Sequence, residues 1–123
     1  MATVFTNTGR ALLTSALDNT QLTSPTYIGW GTGTTTAAAT QTALVTPSAE
    51  ARTNGTKSRV TTTVTNDTYR VVGTITSSSS QTIAEAALFD ASSAGNMYVR
   101  GDFTGIALAN GDSIAFTINT VIA

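Results

Sequence analysis

Residues 83–123, IAEAALFDASSAGNMYVRGDFTGIALANGDSIAFTINTVIA, constrain the fold more than any other stretch of this chain. Three extended runs, 83–90, 96–103 and 112–122, are separated by Ala91-Ser92-Ser93-Ala94-Gly95 and by Ala109-Asn110-Gly111-Asp112, clusters of residues that supply turn geometry. In the last run Ile114, Phe116 and Ile118 alternate with Ala115, Thr117 and Asn119, the period of two that places one set of side chains on a single sheet face. The succession predicts a three-stranded meander that closes a β-rich core.

Upstream, residues 57–65 alternate as well, with Val60, Thr62 and Val64 on one face. Asn66-Asp67 reads as a tight turn, and residues 69–76 return with Val71, Gly73 and Ile75 on one face, so a hairpin is expected. Tyr27-Ile28-Gly29-Trp30 reads as a further strand, extended after Pro25 and running into Gly31-Thr32-Gly33-Thr34. Trp30, the only Trp of the chain, reads as a large core or interface anchor. At least six strands sharing one core make the chain all-β, an antiparallel β-sandwich or jelly-roll-like barrel forming a single domain over residues 1–123. Residues 1–26 are expected as an arm or short helix, with Thr8 as cap, Ala11, Leu12, Ala16 and Leu17 at helical spacing, and Asp18-Asn19 as the end. Residues 27–123 form the sandwich, interrupted by a long Ala- and Thr-rich loop at 35–56 with room for one helical turn around 37–44. Loops this long inside a compact domain tend to be functional or partner-ordered, which makes this one a docking candidate.

Composition narrows the function. With 6 basic and 7 acidic residues the net charge is −1, so no electrostatic footprint for nucleic acid or an anionic membrane is present. Charged residues make up 11% against the usual quarter or so, and 27 Thr and 11 Ser leave a surface solvated mainly by hydroxyls. The absence of Cys and His removes disulfides, thiolate nucleophiles and the commonest general base and metal ligand. No apolar run has the length of a membrane span, and the N-terminus lacks the pattern of a signal peptide, so a protein made and used without secretion is expected.

No acid/base pair can be assembled from Asp18, Glu50, Asp67, Glu85, Asp90, Asp102 and Asp112. Asp67, Asp90 and Asp112 sit beside turns, where such side chains bond to backbone N–H groups. A calcium cluster of Asp90, Asp102 and Asp112 has no supporting spacing, and the glycines of 31–34 lack the lysine and helix of a phosphate loop; backbone freedom at a strand end accounts for them. Tyr69 and Tyr98 are the candidates for an aromatic sugar-binding surface, weighed against their use in the core. Glu85 interrupts an apolar strand, with Arg100 on the next strand as its partner; a cross-strand ion pair or subunit contact is expected there in preference to catalysis. No cofactor, metal or catalytic residue is expected, and the chain is read as a non-enzyme.

The succession YIGWGTGT (27–34), SRVTTTVTNDTYRVVGTIT (58–76), EAALFDASSAGNMYVRGDF (85–103) and LANGDSIAFTI (108–118) resembles small virion proteins of tailed bacteriophages, both head decoration (cement) proteins and modules of tail fibres. The resemblance runs from about residue 6 to the end. It implies a sandwich that associates as a homotrimer with an arm reaching a neighbour, and no inherited catalytic residue. Fibre modules of this pattern usually belong to longer chains with a separate attachment region, so this compact chain is expected to be a capsid decoration protein bridging major capsid protein subunits on the virion surface. A tail fibre or receptor-binding module recognising the host surface is the alternative. Candidate capsid contacts are the arm 1–19 and the loop 35–55. Candidate interface residues are Phe5, Leu12, Leu13 and Leu44, with Tyr27, Trp30, Glu85 and Arg100 as trimer contacts; neither nucleic acid nor membrane is expected as partner.

Overall fold

A computed structural model describes residues 2–20 and 23–122; Met1 and Ala123, the ends of the expected arm and of the closing stretch, lie outside the described residues. The chain begins with strand β1 (Ala2–Phe5) and helix α1 (Asn7–Leu17), so the first residues form both a strand and a helix. Thr6, not Thr8, caps the helix. Its Oγ1 accepts from the Gly9 N–H at 2.9 Å and donates to the Met97 carbonyl at 2.6 Å, which ties the helix to the sheet behind it. Packing thus selected between two threonines with equal capping chemistry. Asn19 ends the helix in the left-handed region at φ 66°, as Asp18-Asn19 suggested.

The strands that follow are β2 (Tyr27–Gly31), β3 (Thr53–Asn54), β4 (Thr56–Val60), β5 (Thr68–Thr76), β6 (Gln81–Phe89), β7 (Met97–Leu108) and β8 (Ser113–Val121). They form two antiparallel sheets, one ordered β1-β7-β6-β2-β3 and the other β4-β5-β8, which face each other as a β-sandwich. The expected hairpin is present as β4–β5, but its strands are shorter on the turn side. Residues 61–67 make a wide loop in which Asp67 accepts from the N–H groups of Thr62, Thr63 and Val64 at 2.8–2.9 Å. Those bonds, with one from the Thr68 hydroxyl, hold the Asp67 carboxyl well below the usual carboxylate range.

The closing stretch is not a meander. β6 and β7 pair, while β8 crosses to the other sheet and pairs along its length with β5, from Thr68↔Val121 to Thr76↔Ser113. The crossing is locked where the Ser77 N–H donates to the Asp112 carbonyl at 2.7 Å and the Gly111 N–H donates to the Ser77 carbonyl at 2.8 Å. Its effect is to bring Ile114, Phe116 and Ile118 over the first sheet, where Phe116 meets Trp30 edge to face at 6.2 Å between ring centroids. Ile28, Trp30, Val71, Ile75, Ile83 and Leu88 fill the space between the sheets.

β6 is buried along most of its length because the first sheet is covered on both faces. The second sheet covers one. The other is covered by residues 32–52, which double back over β2, β6 and β7. Around 37–44 a single hydrogen-bonded turn forms, where the Gln41 N–H donates to the Ala38 carbonyl at 3.1 Å, and it does not propagate into a helix; the N–H of Ala37 is taken by Asp102 and that of Ala38 by the Gln41 side chain.

Candidate functional site: a buried ion pair beneath a long loop

Glu85 would share the face of Ile83 in an undistorted strand. A register irregularity between Ile83 and Glu85 turns it to the opposite face, so Ile83 enters the core while Glu85 meets the loop. There it lies beside Arg100, which β7 presents on the same face, at 3.1 Å from Oε1 to Nη2, with both side chains fully buried. Two charges removed from water are tolerated only where every remaining polar group is bonded. That condition is met. Oε1 also accepts from the Val45 N–H at 2.8 Å and Oε2 from the N–H groups of Gly33 and Thr46, both at 2.8 Å. Arg100 Nη1 donates to the Thr35 carbonyl at 3.0 Å and to Gln41 Oε1 at 3.1 Å.

The ion pair therefore holds both ends of residues 33–46, and Asp102 adds a bond at 2.8 Å to the Ala37 N–H near the middle. The glycines of the strand end serve this approach. A Cβ at Gly31 would overlap the Thr46 carbonyl, and one at Gly33 would overlap the Glu85 carboxylate and Val45. Neither adopts the positive φ that backbone freedom would imply; room is what they provide.

A second polar cluster secures the far end of the loop. Glu50 accepts from Trp30 Nε1 at 2.9 Å, from the Ser78 hydroxyl at 2.6 Å and from Gln81 Nε2 at 3.0 Å. Burial raises the Glu50 carboxyl, but those donors and the Ser78 N–H outweigh it and hold it down at about 2. Nearby, the Arg52 guanidinium lies 3.4 Å from the centre of the Phe89 ring and donates to the carbonyls of Ala91 and Ala94.

Of the expected interface residues, Glu85, Arg100 and Trp30 have their side chains inside the chain, engaged as above. Tyr27 and Leu44 pack together against Ala87, Phe89 and Met97, and Phe5 and Leu12 pack on the main core. Leu13, with Phe5, Leu12 and Tyr69, lines an apolar groove of about 260 Å³ between α1 and the end of the sandwich. Tyr69 donates there to the Pro25 carbonyl at 2.8 Å, and burial, with a smaller electrostatic influence from Tyr98, pushes its phenol up to about 12. Asp90, Asp102 and Asp112 do not converge, each serving a different loop, and no cluster of metal-binding side chains occurs among the described residues. Gln41 and Arg52 carried no expectation in the sequence, and Glu50 entered only as one of the scattered carboxylates. Lone long polar residues in a stretch otherwise rich in Ala and Thr were the available signal.

The buried charges of this β-sandwich hold its long loop in place. Residues 4–123 match the family described as Podophage GP4 fiber I protein gp80, and the chain belongs to that family. It is thus a bacteriophage virion structural protein of fibre type. No curated protein and no solved structure matches it.

Proposed function

We propose that the chain is a tail-fibre module that presents the loop 32–52 to the surface of the host cell. The observation that carries this is the match to a family of fibre proteins over residues 4–123, which favours the fibre reading over capsid decoration. The loop suits recognition, because its backbone is fixed before contact while Thr34, Thr36, Thr40 and Thr42 stand exposed along it. A surface ordered in advance loses less entropy on binding. The proposed assembly is a homotrimer, and the module has no catalytic task.

The test has two arms. The purified protein should compete with the phage for adsorption to host cells, and the virion reconstruction should place the chain at the tail. Copies over the joints between capsomers, in numbers comparable to the major capsid protein, would replace this reading with the decoration reading.

A further inference from the structure

The two sheets leave four strand edges, and three of them are blunted against pairing. β1 runs four residues and β3 two, and β4 carries Lys57 and Arg59 in its five. β8 is different: nine residues, SIAFTINTV, with no charge, no proline and a regular register on its paired side. Proteins that remain single in solution guard such an edge with charges, bulges or cover. β8 has a strand neighbour, β5, on one side only.

The same side of the molecule is open between the sheets. A three-stranded sheet cannot cover a five-stranded one, so β8 and β7 frame a slot of about 670 Å³ lined by Phe103, Ile106, Ile114, Phe116 and Ile118 among others. None of the lining residues is charged. Ile106 is 42% exposed at its mouth, and the inward face of β8 remains only half-buried.

We propose that copies of this chain associate through this strip, the β8 edge of one copy lying against the slot of the next. The occupant follows from charge and size. Whatever covers an uncharged apolar strip must itself bring few charges, since a charge buried there would lack a partner. Among the edges of this chain β1 and β3 are also uncharged but run only four and two residues, so β8 alone combines that demand with the length of the strip, and a head-to-tail contact of edge against slot closes into a ring such as the proposed homotrimer. A nine-residue strand is about 30 Å long and the sandwich edge about 20 Å deep, so roughly 600 Å² per copy is available, near the lower limit for a specific interface. The interface places subunit contacts away from Trp30, Glu85 and Arg100 and leaves the loop 32–52 free. It stands independently of what the loop recognises.

The test is the oligomeric state of the whole chain. Wild-type protein should sediment as a multimer that dissociates on dilution, whereas Thr117→Lys on the edge and Ile106→Lys at the slot mouth, both at exposed positions, should weaken association at least tenfold. A wild-type chain that stays monomeric at every concentration overturns the proposal, as does a multimer that neither lysine disturbs. Should a lysine variant fail to fold, amide exchange in the wild type decides: β8 amides protected further as concentration rises support the interface, and concentration-independent exchange removes it.

Discussion

Glu85 Oε1 lies 3.1 Å from Arg100 Nη2 and 3.2 Å from Arg100 Nε, and both carboxylate oxygens together with Arg100 Nη1 hold the backbone of the loop above. The pair joins the sheet to the loop more than strand to strand. Charge neutralisation makes its burial tolerable, while the loop bonds give it a purpose that an apolar pair would lack.

Removing one partner should therefore differ from removing both. Glu85→Ala leaves a buried guanidinium without its counter-charge and is expected to cost about 3–5 kcal/mol in denaturant unfolding. Glu85→Leu combined with Arg100→Met should recover much of that loss, because two well-packed apolar side chains replace a buried ion pair at little cost. The amides of Gly33, Val45 and Thr46 should nonetheless exchange rapidly in the double variant, since their acceptor is gone. Stability recovered together with full loop protection would show that the carboxylate is not what orders the loop.

Gly33→Ala probes the same joint from the backbone side. The added methyl would meet the Glu85 carboxylate and Val45, both fixed by other bonds, so the loop must shift. A loss of about 1–3 kcal/mol is expected, as for other overpacked interiors. Ala at Gly111, which has φ 95° but open space around it, should act through backbone strain alone and leave loop exchange unchanged. Equal loop exchange in the two variants would remove the steric account.

The sandwich was legible because alternation is a local property. Ile114, Phe116 and Ile118 announce a strand with one buried face, and that face is buried as expected. Alternation does not say which strand lies alongside, and so β8 was assigned to β7 when the lock at Ser77 and Gly111 sends it to β5. The Glu85–Arg100 pair was visible from its setting on adjacent strands. The loop it holds was not, because residues 33–46 have no period; their positions are set by backbone amides bonded to a carboxylate some 40 to 50 positions later in the chain. The helix cap shows the same limit at smaller scale. Thr6 and Thr8 offer the same hydroxyl, and only the Met97 carbonyl distinguishes them.

That distinction can be measured. Thr6→Ala removes a cap and leaves the Gly9 N–H and the Met97 carbonyl without this hydroxyl in a fully buried site, so a loss of about 2 kcal/mol is expected. Thr8→Ala, inside the helix, should change stability by less than about 0.5 kcal/mol. Similar values for both, in parallel urea titrations, would mean that the cap contributes little beyond helix propensity.

Acid should reveal the Glu50 cluster. The Glu50 carboxyl is held at about 2 in the folded chain against an ordinary value of 4.5, so the folded state binds its proton less readily than the unfolded state. Stability rises with pH wherever the unfolded state holds more protons. The contribution of Glu50 is therefore fully present above pH 4.5 and is lost as the pH falls from there to about 2. Glu50→Gln cannot titrate, and it places an amide where Trp30, Ser78 and Gln81 require an acceptor. Its melting temperature should lie below that of the wild type at pH 6, and the gap should narrow progressively between pH 4.5 and about 2. Other depressed carboxyls, Asp67 among them, titrate in both proteins and drop out of the difference. A gap that stays constant across that window would mean that the donors around Glu50 act through geometry alone, without favouring its charge.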